Sequence, residues 1–330
     1  MNKVAVDLLG ADLDEKILFK GAIQSLQDNL DLTLVLFGKK EINDLIQHLD
    51  ENIQKRIEFV ECTQEVNNDD NPLQVFKNKS DSSMIKALKY CKEHIDNCSF
   101  VSCGSTGAIL VSSILLLGKI KGITRPVLAS ILKNKNNDNF CIVDCGANVD
   151  CSATKLLEFA KMGTACMKAF GIKNPKVGLL SNGVEDKKGN TLIKEAFPLF
   201  KTSSLNFIGN IEAKDPLNHS IDVVVTDGFA GNVLLKSIEG TAKAILYEIE
   251  EKIKNTSIEK EMIGVMQSLF HKYDYNSQGG AILLGVNAPV IKGHGAADDK
   301  SMYHIIQLAQ QLAKNQLFNI MKDEFSKIND

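Results

Sequence analysis

Short apolar runs rich in β-branched residues alternate with longer stretches of helical period, and no other feature of this sequence restricts its fold as much. Residues 3–7, 32–37 and 57–60 read as strands, with helical sequence starting at Asp14 and Lys40. Further strands are expected at Phe100, 127–132, 140–144, 177–180, Phe207 and 223–225, most of them followed by helical sequence. This rhythm predicts an α/β fold, a mostly parallel sheet in three layers with helices on both faces. It breaks from Phe229 to about residue 276, where two amphipathic stretches meet at 255–257 with no strand between them. An inserted αα-hairpin follows. Its second arm sets Met262, Met266, Leu269, Phe270 and Tyr273 at helical spacing, an apolar face for its own first arm, a partner subunit, a membrane or a partner protein.

Composition removes several function classes. With 44% hydrophobic and 24% charged residues in 330, the chain is globular rather than disordered. A net charge of -3 and a pI near 6.1 provide no general attraction for nucleic acid. The apolar run after Lys3 stops at Asp7, too short for an export signal, so a cytoplasmic chain is expected. The uncharged stretch 97–118 is broken by glycines at 104 and 107 and reads as buried core rather than a membrane span. Eight cysteines without an export signal imply reduced thiols. Cys141 and Cys145 sit about 13 Å apart along one strand. That is too far for a shared tetrahedral zinc, so small buried hydrophobes are the better reading and no metal is expected.

In an open α/β sheet, ligands bind beyond the carboxyl ends of the strands. Four glycine-bearing segments follow strands in this way, at 8–12, 104–107, 146–148 and 227–232. Exposed amides and the positive end of a helix favour a phosphate there, and glycine permits close approach. Ser82, Ser83 and Thr106 stand at helix starts. None of the four is a Walker loop or GxGxxG, so nucleotide binding by those routes has no support. Nearby cations are Lys79, Arg125, Lys188, Lys236 and Lys292; Arg125 leads, because its planar guanidinium just before a strand holds an oxyanion in fixed orientation. His294, between two glycines and four residues before Asp298, is a candidate proton donor or anion contact. No GxSxG elbow is present and Cys103 has no identifiable base, so covalent catalysis is not expected.

Taken in order, the segments DLLGAD (7–12), KSDSSM (79–84), VSCGSTG (101–107), GITRP (122–126), DCGANVDC (144–151), LLSNGVEDKKGN (179–190), NFIGNIE (206–212), DGFAGNVLLK (227–236), GGA (279–281) and KGHG (292–295) run nearly end to end. They resemble one family, the phosphate acyltransferases that use acyl-carrier-protein thioesters (the PlsX family). The resemblance implies a fold like that of isocitrate and isopropylmalate dehydrogenases and phosphate acetyltransferases, with residues 1–228 and 277–330 as catalytic core. It makes 229–276 a hairpin for dimer, membrane or carrier-protein contact. It also implies a homodimer and no cofactor, with acyl-carrier protein and inorganic phosphate as partners. Peripheral membrane association beside the membrane acyl-phosphate:glycerol-3-phosphate acyltransferase is implied as well.

The expected phosphate set is Lys79, Ser82, Ser83, Ser105, Thr106, Arg125, Asn148, Lys188 and Lys236. His294, Asn232 and Asp298 are the expected catalytic groups, and Met262, Met266 and Phe270 the acyl or membrane contacts. The chain departs from the usual pattern at Ala11, Ser80, Ser105, Ala296 and Ala297. Ala11 would crowd its loop only with a positive φ. Rival readings are another enzyme of the same fold, either a metal- and NAD-dependent decarboxylating dehydrogenase or a coenzyme A-dependent phosphate acyltransferase, and a non-catalytic dimeric scaffold.

Overall fold

The computed structural model describes residues 2–218, 220–273 and 278–326. The chain divides into two compact units, Met1–Pro126 with Gly279–Asp330, and Val127–Gln278. The first unit begins with β1 (Asn2–Asp7), α1 (Glu15–Asp28), β2 (Leu32–Gly38), α2 (Lys40–Gln47), α3 (Glu51–Gln54) and β3 (Ile57–Glu61). It continues through α4 (Pro72–Asn78), α5 (Ser83–Glu93), β4 (Cys98–Ser102) and α6 (Thr106–Leu117). The second unit holds β5 (Val127–Lys133), β6 (Asn139–Val143), α7 (Ala153–Ala169), β7 (Lys176–Leu180), α8 (Thr191–Lys201) and β8 (Asn206–Ile211). It ends with α9 (Asp215–Asn218), β9 (Val223–Val225), α10 (Gly228–Ile253) and α11 (Glu259–Tyr273). The chain then returns to the first unit as β10 (Ala281–Leu284), β11 (Val290–Lys292), α12 (Asp299–Lys314) and α13 (Leu317–Ser326).

The strands of the first unit lie in the order β3-β2-β1-β4-β11-β10, with only β10 and β11 antiparallel. Those of the second lie in the order β5-β6-β9-β7-β8, with only β5 and β6 antiparallel. The α/β reading therefore stands, a mostly parallel sheet flanked by helices. Every residue of β4 and β9 is buried, as continuous apolar strands covered on both faces should be. Helix starts follow the capping chemistry of their sequences: Asp14, Ser82, Asn190, Asp227 and Asp298 each accept a backbone N–H of the helix they precede.

All nine strands expected from the sequence form, and two more, β10 and β11, were not foreseen. Their four and three residues lie between glycines and a proline, and a run that short carries no usable period. The two arms α10 and α11 pack against each other with their turn near Asn255, whose φ is 62°. The boundary drawn between 276 and 277 falls outside the described residues. No described helix is long and apolar enough to cross a membrane. The stretch 97–118 is core only in part: β4 is buried throughout, whereas Leu115 on α6 is 56% exposed.

Candidate active site

In the first unit the carboxyl edge is organised around one row of the sheet. Asp7 ends β1 and is in register with Ser102 of β4, which is in register with Lys292 of β11. The Asp7 carboxylate is fully buried and accepts from the Ser102 hydroxyl at 2.7 Å, the Ser83 hydroxyl at 2.5 Å and the Leu9 amide at 3.2 Å. Burial pushes its pKa up, opposed by those hydrogen bonds. One carboxylate thus ties the start of α5, the end of β4 and the loop after β1 together. Gly10 makes the close approach possible, since a Cβ there would stand 2.7 Å from Asp7 Oδ2 and 2.8 Å from the Gly104 nitrogen. Asp12 donates its amide to the Gly295 carbonyl at 2.8 Å, which brings in the loop after β11.

The other candidates of the first unit have the following surroundings. Ser82 caps α5 and donates its hydroxyl to the Lys79 carbonyl at 2.7 Å. The Lys79 ammonium itself is held by the Glu65 carbonyl at 2.8 Å and the Asp70 carboxylate. Ser105 stands at the N-cap of α6 without a side-chain cap bond, so its hydroxyl leaves the first amides of that helix, which begins at Thr106, uncapped. Such an uncapped N-terminus suits an anion. Lys292 is buried and donates to the Cys103 and Gly293 carbonyls. Burial raises the Cys103 thiol to about 12, so a thiolate nucleophile is not available there. His294 is exposed, and its Nδ1 accepts the Ala296 amide at 3.1 Å, which puts the proton of a neutral ring on Nε2. Asp298 caps α12 and accepts from the amide and hydroxyl of Ser301 at 2.9 and 2.6 Å. Ala11 is not among the residues with positive φ, so it sits in its loop without left-handed strain. Arg125 lies at the end of the first segment of this unit, one residue before Pro126.

The second unit repeats the device. Asp144, directly after β6, is buried and accepts from the amides of Leu128, Ala147 and Asn148 at 3.0, 3.1 and 2.6 Å. The Asn148 side-chain amide adds a fourth donor at 2.9 Å. Burial again raises its pKa, against those bonds. Gly228 donates to the Asn148 carbonyl at 2.8 Å, placing the start of α10 against the loop after β6. Gly231 is required there, because a Cβ would stand 1.9 Å from the Asp144 carbonyl oxygen. Asn232, one residue on, is exposed and faces Gly146 at 4.0 Å from the position a Cβ would take. Lys188 is exposed in the loop after β7, and Lys236 pairs with Glu239 at 2.9 Å. Asn148, Asn232, Lys188 and Lys236 therefore belong to one unit, and Lys79, Ser82, Ser83, Ser105, Thr106, Arg125, His294 and Asp298 to the other.

The two buried aspartates were not singled out from the sequence. Their signal was an acid at the end of an apolar strand with a glycine two or three residues on, in DLLGAD and DCGAN. A charge buried at that position must collect donors, and the donors are the loops themselves. Met262 and Met266 are half-buried and Phe270 is 45% exposed on α11, which has no buried residue.

A family model described as "Fatty acid synthesis protein" matches residues 2–320. A phosphate acyltransferase of Staphylococcus epidermidis is 38% identical over 331 residues, covering 98% of this chain and 99% of that protein. This chain belongs to that family. As a phosphate acyltransferase family member it also shares its fold with more distant proteins of known structure. A phosphotransacetylase from Streptococcus pyogenes superposes with a TM-score of 0.59 at 16% identity, over 95% of this chain and 94% of the other. A branched-chain phosphotransacylase from Enterococcus faecalis gives 0.57 at 14% identity, over 94% and 99%.

Proposed function

We propose that this chain moves a long-chain fatty acyl group from acyl-carrier protein to inorganic phosphate, giving acyl phosphate for phospholipid synthesis. The observation that carries the reading is the end-to-end match to a phosphate acyltransferase at 38% identity. The chemistry suits the residues. Phosphate is already an anionic nucleophile at neutral pH, and a thiolate with a pKa of about 8.5 leaves readily, so positioning dominates over acid or base strength. Phosphate is held by the uncapped start of α6 at Ser105 and Thr106, the start of α5 at Ser82 and Ser83, and the cations Arg125 and Lys79. His294 Nε2 supplies the proton to the departing sulfur, and Asp298 anchors the helix that follows it. In the second unit the amides near Gly228 and Gly231, with Asn232, are donors of the kind that stabilise an oxyanion. The apolar residues Met262, Met266 and Phe270 of α11 serve membrane or carrier contact in a homodimer, next to the membrane acyltransferase that consumes acyl phosphate.

Incubation with palmitoyl-carrier protein and phosphate should release free carrier thiol and form palmitoyl phosphate. Turnover with palmitoyl-coenzyme A alone would move the donor assignment to coenzyme A. A folded protein inactive with both thioesters would leave only a scaffold role.

A further inference from the structure

Helix α6 is apolar on both faces: it buries Ala108, Ile109, Leu116 and Leu117 and still carries apolar residues outside. Its buried face includes Ser112 and Ser113, whose hydroxyls are fully buried and have no hydrogen-bond partner. Its outer face, at the i, i+3 and i+4 spacing of one helical stripe, carries Gly107, Leu110, Val111, Ile114 and Leu115. No polar side chain interrupts this strip. Leu115 is 56% exposed and the other four are half-buried. A surface helix ordinarily turns its polar residues outward, so this arrangement calls for an apolar cover.

The strip also has a defined origin. It starts one residue after Thr106, at the helix end that stands beyond the carboxyl edge of β4 and has no side-chain cap. Its first turn touches α4, because a Cβ at Gly107 would meet Pro72 Cγ at 3.0 Å, and the next residue, Leu73, is 72% exposed. From there the 12 residues of α6 extend about 18 Å away from the edge.

We infer that this strip seats the hydrocarbon chain of the acyl donor, with the thioester carbonyl at the start of α6; the inference rests on the acyl-transfer reading above. Two features favour a chain over a protein. A strip of five residues is far smaller than the roughly 20–30 residues that each side of a stable protein interface contributes. A folded partner also brings polar groups that need partners, and the strip has none to offer, whereas a polymethylene chain requires none. Continuity with the anion-suited edge distinguishes it from the face of α11.

The test is photolabelling combined with chain-length kinetics. Carrier protein loaded with a diazirine-bearing palmitoyl group should label the peptide 107–118, and mass spectrometry locates the adduct. In a Val111→Gln, Leu115→Gln double variant, kcat/KM for palmitoyl-carrier protein should fall about tenfold relative to butyryl-carrier protein, the loss expected when a few methylene groups lose their apolar contact. A Leu115→Gln single variant, at an exposed position, serves if the double variant lowers the thermal midpoint. Adducts confined to 259–273, or equal losses for both donors, would overturn the assignment. An unchanged donor ratio with an altered oligomeric state would also overturn it, assigning the strip to an interface between copies. Should the wild type bind and label on α6 yet form no acyl phosphate, the transfer reading fails while the strip assignment stands. Turnover with labelling elsewhere gives the reverse.

Discussion

Asp7 is a buried charge that the fold keeps at a cost to itself. Its carboxyl pKa is raised by burial, so the ionised form is less favourable in the native protein than in water, despite the donors Ser102, Ser83 and Leu9. In an unfolded chain an aspartate titrates at about 3.9. Between that value and the elevated native one, the folded protein keeps a proton that the unfolded chain has lost, so wild-type stability falls as pH rises through the window. Asn at this position does not titrate. Relative to wild type, the thermal midpoint of the Asp7→Asn protein should therefore shift in the variant's favour as pH rises from about 4. Its phosphate KM should nonetheless rise about tenfold, because an amide in place of one carboxylate oxygen repels a hydroxyl donor and loosens the loops it tied. Phosphate saturation curves and melting curves across pH check both halves; wild-type phosphate kinetics would remove Asp7 from the positioning of this edge. The serine and histidine candidates were readable as residue types near glycine loops. The aspartates that hold those loops were not, since burial of a charge is a property of neighbours remote in sequence.

At the scale of elements, α10 shows one helix under two constraints. Its first turn sits so close to the loop after β6 that Gly231→Ala must push the helix off the Asp144 carbonyl, at a cost of about 1–3 kcal/mol, typical of overpacking. Farther along the same helix Gly240 has nothing within 4 Å, and Gly240→Ala should stabilise by about 0.5–1 kcal/mol through helix propensity. Chemical denaturation of the two variants should therefore move the midpoint in opposite directions. Sequence marks Gly231 as part of a loop after a strand but does not show that a backbone carbonyl presses against it. The same limit explains β10 and β11, for which the sequence predicts no strand: their pairing, not their period, makes them strands. By joining beside β4, β11 carries Lys292 and the loop of His294 to the edge occupied by Asp7 and Ser102. That juxtaposition links residues almost 300 positions apart, and no local pattern announces it.

At the scale of the molecule, the arms α10 and α11 expose Ile245, Tyr247, Ile263, Val265 and Phe270 among five lysines and five glutamates between residues 243 and 272. With the charges balanced, any affinity for a lipid surface proposed above has to come from apolar contact. Flotation with anionic vesicles should then be nearly independent of salt between low and high ionic strength, and Phe270→Ser should weaken it; a steep loss with salt would point to a basic surface instead. The α/β class, nine strands, several helix starts and the family were determined by the sequence itself, because periodicity, capping residues and ordered motifs are local quantities that survive without a fold. Tertiary structure alone decided which loops share an edge, which glycines are indispensable, that two aspartates are buried beneath those loops, and that α6 buries two serines while leaving Leu115 exposed. Each of these depends on what lies across the sheet or over the helix, and packing between distant segments leaves no periodic trace along the chain.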